Sequence, residues 1–402
     1  MTKEYLFRNI YFNIFILLIN TSVSDAFFKG IFINPSIISI TRLVTNCIFI
    51  LMLIYYLLID RIKARQYRFG ILLAVLTTVT LIWTPLMFES IKVYINVIGP
   101  ICYFIIMGLI TDKDVIIKNL RAYSTLIVVC EVISLFLPNK VGYMETTDIL
   151  RGIHLSRSAL VVYLNFCIFI NLIYFIQKWK KDNVINIFST GIIGVSTILV
   201  ILTKSSTGIL TVMLLYVLIL ATNKERVYNW LFSISLVLGI GIPFMNVNSP
   251  IIESFIETVF GKTLTFSGRK YIWQYALNNL VKNPILGNGF NSTEELLRDK
   301  VIPVYERQAS HTHNGFLEVF LQTGIIGLIL VVCVLVLAYM FIKILPQVQQ
   351  TIMRAYLITF IIFNFMEPYL IEQVAVVNMW LPIAYIFTYA YKKRYISIKP
   401  VK

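Results

Sequence analysis

Two of the three histidines in this 402-residue chain stand in one polar run, Ser310-His311-Thr312-His313-Asn314-Gly315-Phe316-Leu317-Glu318. An imidazole near its unperturbed pKa of about 6.5 can take a proton from an attacking hydroxyl at neutral pH, which is the task of a general base. The alternative is structural: the pair caps or anchors the apolar helix that follows, and two histidines two residues apart need not face the same way. A second group is Ser267-Gly268-Arg269-Lys270 with Trp273. Arginine presents a planar fork of donors that matches two oxygens of a phosphate and stays charged at any biological pH. Arg269 suits a lipid diphosphate at a membrane surface, or else it is an interfacial arginine with an aromatic anchor.

Two further groups carry charge at similar positions. Arg151-Gly152-Ile153-His154-Leu155-Ser156-Arg157 precedes an apolar run, where Arg157 can also simply snorkel. Lys204-Ser205-Ser206-Thr207-Gly208 forms a very short turn between two apolar runs, holding its Lys at the surface, and reads equally well as a plain polar turn.

Several standard motifs are absent on a strict reading. Gly261-Lys262-Thr263 resembles the end of a phosphate-binding loop, but the glycine required five positions earlier is Ile256. Gly239 and Gly241 lie in an apolar run where helix packing explains small residues. No HExxH or GxSxG occurs, and no acidic cluster suits a divalent metal. The five cysteines, Cys47, Cys102, Cys130, Cys167 and Cys333, lie in apolar runs without a CxxC and read as small apolar side chains. The expectation is chemistry without metal or cofactor, or plain transport.

The elements that position these residues follow from composition. The chain is 58% apolar and only 14% charged, with mean hydropathy +0.80, against about 25% charged residues in a soluble domain. This predicts an all-α polytopic membrane protein. The net charge of +15 fits basic residues gathered in cytoplasmic loops rather than a surface for nucleic acid. At roughly 20 residues per span, apolar runs near 8–23, 43–59, 69–87, 91–111, 120–137, 158–176, 185–203, 208–222, 228–244, 317–342, 352–370 and 374–391 predict about twelve spans. The first run has basic neighbours but contains Asn13 and Asn20 and no cleavage pattern, so it is expected to be retained.

Placing the N-terminus in the cytoplasm puts most Lys and Arg in inner loops, and both termini inside. The expected organisation is a nine-helix membrane region over 1–244, a long outer loop over 245–316, and a three-helix region over 317–402. The outer loop has nearly balanced charge. It should carry a helix from about 268 to 280, a turn forced by Pro284, Gly287 and Gly289, and a polar helix around 292–300 with Ser292 and Glu295 as a capping box.

In order and placement, Gly268-Arg269 with Trp273, then Pro284, Gly287 and Gly289, then His313-Asn314 with Leu317-Glu318, then Gly324 and Gly327, resemble the O-antigen polymerase and O-antigen ligase superfamily of membrane glycosyltransferases. That family typically has a Ser-Arg pair in the short outer turn before the long loop. Here the expected Arg is Ser206, and Lys204 offers only a point charge nearby.

The resemblance implies a GT-C-like helical fold in the bacterial cytoplasmic (inner) membrane. It implies metal-independent transfer of a glycan from an undecaprenyl diphosphate carrier to a sugar hydroxyl at the outer face. In a polymerase the acceptor is another lipid-linked repeat unit; in a ligase it is lipid A core. Implied partners are undecaprenyl-diphosphate-linked glycans, membrane lipids and a chain-length regulator protein, with no nucleic acid.

Cations at the departing diphosphate would stabilise the transition state more than the ground state. Arg269, with Arg151 or Arg157, fits that role. His313 would remove the acceptor proton with Glu318 or Asn314 orienting it; His311, Lys204 and Trp273 complete the candidate site. The rival class is a lipid or solute transporter, for which Glu131 is the one acidic residue clearly inside a span. A structural membrane scaffold is a third reading.

Overall fold

The computed structural model describes residues 9–30, 34–59, 67–137, 141–144, 149–221, 224–244, 269–298, 301–302, 307–373 and 376–393. Gly268, Ser267, Lys262 and the rest of 245–268 lie outside the described residues, as do Lys140, Lys300 and Glu306.

The described chain is helical. In order it forms α1 (Ile10–Ile19), α2 (Asp25–Gly30), α3 (Pro35–Leu58), α4 (Arg68–Thr80), α5 (Met87–Ile110), α6 (Lys113–Ser134), α7 (Arg157–Asp182), α8 (Ile187–Leu202), α9 (Ser206–Ala221) and α10 (Glu225–Gly241). There follow α11 (Arg269–Leu280), α12 (Thr293–Leu297), α13 (Gly315–Phe341), α14 (Gln347–Phe363), a π turn (Val376–Trp380) and α15 (Leu381–Tyr391). The exception to an all-α chain is a short antiparallel pairing of β1 (Val301–Ile302) with β2 (Arg307–Gln308). Helix occupies each of the twelve apolar runs. Five stretches, Pro35–Leu58, Met87–Ile110, Arg157–Lys180, Glu225–Phe244 and Gly315–Ile344, are long and apolar enough to cross a membrane.

Helix starts follow local chemistry. Asn34, Ser156, Asn186 and Asn314 each accept a first-turn backbone N–H with the side chain, opening α3, α7, α8 and α13. The predicted capping box at α12 does not form. Ser292 is helical in φ and ψ and makes no side-chain cap, while Glu295 pairs with Arg298 at 3.1 Å.

Apolar side chains cover the outside of the bundle as well as filling its core, and polar ones are buried among them. Leu58, Leu220 and Val237 are exposed, whereas Asn13, Asn46 and Asn171 are fully buried. Two of these amides donate inside the bundle: Asn46 to Asn20 Oδ1 at 2.9 Å and Asn171 to Ser124 Oγ at 2.9 Å. Apolar faces outward with polar side chains gathered inside is what hydrocarbon around the bundle requires. This is a membrane protein.

The two ends of the bundle differ. Lys343 meets Glu225 at 2.9 Å, Arg354 meets the same carboxylate at 3.5 Å, and Arg121 donates to Asn186 at 3.5 Å. These join the α6 start, the α7–α8 and α9–α10 links and the α13–α14 link at one end. The α6–α7 link, α11, the turn before α13 and the α14–π link meet at the other.

Candidate functional site

At that second end the segment 284–290 docks main chain to main chain on α13. Asn288 and Gly289 donate their N–H groups to the carbonyls of Leu321 and Gln322 at 2.9 and 3.0 Å, and Ile325 donates back to Pro284 at 2.9 Å. Gly324 opens the kink that receives this segment, with φ 66° and ψ −171°. A Cβ on Gly324 would lie 2.1 Å from the Ile285 carbonyl oxygen, and one on Gly287 2.5 Å from that of Gln322. The glycine spacing therefore serves close backbone approach as well as the turn.

This docking sets α11 beside the turn that opens α13. Trp273 donates its indole N–H to the Thr312 carbonyl at 2.9 Å. Thr312 in turn gives its N–H and hydroxyl to Glu318 Oε2, at 2.9 and 2.7 Å, and Gln322 donates to Glu318 Oε1 at 2.7 Å. Asn314 caps Leu317 at 2.8 Å and donates to the carbonyls of Gly239 and Phe365 at 3.1 and 3.2 Å. Held from both sides, His313 adopts the left-handed conformation at φ 54°, a strain that the network over-determines. The sequence reading assigned Glu318 or Asn314 to orient the imidazole. In the structure both brace the turn that carries it.

His311 and His313 lie edge to face, with ring centroids 4.1 Å apart. Each Nδ1 is buried without a hydrogen-bond partner among the described residues. Burial, then the charges of His311 and Arg269, hold the His313 pKa well below its usual value. His313 is thus neutral at pH 7, the state a proton acceptor needs. The Trp273–Thr312 hydrogen bond sets Arg269, one turn from Trp273, beside the turn that carries His313.

Arg269 Nη2 faces Glu367 Oε1 at 3.5 Å. Glu367, in the link after α14, is pushed up by burial and pulled down by Arg269, His311, a hydrogen bond from Ser158, and Arg157. Arg157, exposed at the start of α7, thereby joins the group. Arg151 is partly buried, and its Nε has no hydrogen-bond partner among the described residues. Lys204 is exposed at φ 52°. Its turn stands at the same end, since a Cβ on Gly208 would press on Val161, one turn below Arg157, but no contact joins Lys204 to Arg269 among the described residues.

Glu131, read as a hint of transport, is engaged otherwise. It meets His154 Nε2 at 2.9 Å and accepts the Ile153 N–H at 3.0 Å, while His154 Nδ1 lies 2.6 Å from the Ser22 carbonyl. This buried pair ties the segment bearing Arg151 and Arg157 to α6. Glu367 itself was missed as a site residue. The signal available was that Glu367 and Glu372 are the only acidic residues after Glu318. No group of three His, Cys, Asp or Glu side chains suited to a metal occurs among the described residues.

Comparison with known proteins agrees with the resemblance. Residues 191–332 match the O-antigen ligase family, a stretch that includes Lys204, Arg269, Trp273, His311, His313, Asn314 and Glu318. The chain is 38% identical over 88 residues to the exopolysaccharide production protein ExoQ of Rhizobium meliloti, covering 20% of each chain. It is 28% identical over 151 residues to a candidate polysaccharide ligase of Rickettsia typhi, 35% of each chain, and 32% identical over 93 residues to one of Rickettsia felis, 22% of each chain. The matches thus span a fifth to about a third of these relatives' lengths.

Proposed function

We propose that this protein is a membrane glycosyltransferase that polymerises undecaprenyl-diphosphate-linked repeat units into O-antigen or a similar surface polysaccharide. The observation that carries the reading is the 2.9 Å bond from the Trp273 indole N–H to the Thr312 carbonyl, which sets the helix that begins at Arg269 beside the turn that carries His313. In the reaction the acceptor hydroxyl oxygen bonds to the anomeric carbon of the donor while the bond from that carbon to the diphosphate oxygen breaks. The bonding pair leaves on the diphosphate, where Arg269 and Arg157 meet the growing charge. The hydroxyl proton passes to His313. No metal is used.

Twelve spans in a GT-C-like arrangement, the division into 1–244, 245–316 and 317–402, an inner-membrane location and cytoplasmic termini complete the reading. The end rich in Lys343, Arg354 and Arg121 then faces the cytoplasm, and the His313 end faces outward. An apolar cleft of about 180 Å³ lined by Leu53, Ile71, Ile101, Phe290, Val334 and Ile371 suits the carrier's hydrocarbon. Ile371 brings this cleft within a few residues of Glu367 along the chain.

The ligase is the second reading. It is favoured by the family matched over 191–332 and by the Rickettsia relatives, while the replacement of the turn arginine by Ser206 favours the polymerase. Purified protein given a lipid-linked repeat unit alone should yield a ladder of chain lengths. A single transfer that requires lipid A core would select the ligase instead, and vectorial movement of substrate without bond formation would select the transporter.

A further inference from the structure

Glu367 stands where a ligand of Arg269 would stand. Its Oε1 is 3.5 Å from Arg269 Nη2, whereas a tight charge-assisted N–H···O bond is about 2.7–2.9 Å. The pair is close enough to neutralise the guanidinium and long enough to exchange. The surroundings of Glu367 are two-sided. Arg269, Arg157, His311 and Ser158 favour its charged form, while burial opposes it. Glu372, a partly buried carboxyl, is pushed well up by desolvation, then by Glu318 and Glu367.

We propose that Glu367 is a built-in counter-anion: it occupies the fork of Arg269 between turnovers and is displaced when the carrier's diphosphate arrives. This rests on the proposed role of Arg269 in holding that diphosphate. Glu367 is a positioning residue, since it acts through Arg269 and does not touch the reacting atoms. Glu367 offsets part of the desolvation cost of the Arg269 guanidinium between turnovers. A diphosphate brings more than one negative charge and two phosphoryl groups, and so displaces a single carboxylate. The monoanionic headgroups that crowd a membrane surface do so poorly. Once displaced from Arg269, the Glu367 carboxyl loses a cation in a buried setting, so it takes up a proton and rests neutral. Glu367 thus filters anions by charge before the reaction begins.

The test titrates inorganic pyrophosphate and inorganic monophosphate into the purified full chain in detergent, for wild type, Glu367→Gln, Glu367→Asp and Arg269→Ala. Binding to wild type is reduced by the fraction of sites in which Arg269 is occupied. Glu367→Gln should therefore bind pyrophosphate about tenfold more tightly and lose much of its preference over monophosphate. Glu367→Asp, with a shortened carboxylate, should tighten about threefold and serves if the glutamine variant does not fold. Unchanged or weaker pyrophosphate binding in both variants, with binding abolished in Arg269→Ala, would overturn the counter-anion alone. Wild-type binding by Arg269→Ala would instead remove the diphosphate role of Arg269, and this proposal with it.

Discussion

Trp273 donates its indole N–H to the main-chain carbonyl of Thr312 at 2.9 Å. One turn up α11 from Trp273 is Arg269, and one residue beyond Thr312 is His313. A single hydrogen bond thus fixes the element that carries a permanent cation against the turn that carries a neutral imidazole. Neither residue is close to the other in sequence, and the docking of 284–290 on the Gly324 kink makes their meeting possible.

Trp273→Phe keeps the ring and removes the donor. Loss of one buried hydrogen bond costs about 1–3 kcal/mol when the acceptor is left unsatisfied. The variant should remain folded, with glycosyl transfer reduced roughly tenfold or more, measured as the initial rate of product formation from purified lipid-linked substrate.

His313→Ala should lower the transfer rate by about 10²–10⁴-fold, the usual range for a general base. Because His313 is held well below 6.5 by desolvation, then by His311 and Arg269, its neutral form persists as the solution is acidified. The acid limb of kcat/KM therefore lies below pH 6.5, and activity falls as pH drops through the depressed pKa. The same group makes folding weaker in acid, since below about 6.5 the unfolded chain binds a proton that the folded chain refuses. The acid limb should survive in Glu367→Gln, which separates His313 from the carboxylate.

Arg269→Lys keeps the charge but not the fork. A point charge cannot pair two phosphoryl oxygens at once, so turnover should fall by about 10²-fold, more than for Arg157→Lys at the exposed start of α7. The measurement is kcat for the two variants side by side.

Gly324→Ala places a methyl group 2.1 Å from the Ile285 carbonyl oxygen at a positive φ. Strain of this kind is of order 1–3 kcal/mol, with the steric overlap added. The variant should show a lower thermal midpoint in detergent and, where folded, reduced activity. Gly191→Ala, with open space around the Cβ position, should match wild type.

How much of this was legible in the sequence depends on the range of the interaction that decides each feature. The apolar runs became helices because a span of hydrocarbon leaves the backbone little alternative, and α11 emerged from the interleaving of Tyr271, Trp273 and Tyr275 with polar residues. Arg269 and His313 were legible as chemical types. The partners that place them were not. The capping box at Ser292 failed because Glu295 had a closer use in Arg298. Glu318 and Asn314, the two residues expected to orient His313, hold the turn around it instead, Glu318 through Thr312 and Gln322 and Asn314 through Leu317. Glu367 lies far along the chain from Arg269, and only tertiary packing joins them. Glu131 stands out in the sequence as an acid within a span, but its partner His154 is brought to it by the Gly152 turn, where a Cβ would overlap the carboxylate.

On the proposed mechanism Arg269 and His313 act on one bond as a unit, which a double-mutant cycle measures. Single-turnover transfer from a purified lipid-linked repeat unit would be timed for wild type, Arg269→Lys, His313→Gln and the double variant. Residues that act as a unit lose nearly the same activity together as alone, so the double variant should be about as slow as the slower single variant. Losses that multiply, or a wild-type rate in either single variant, would contradict the account.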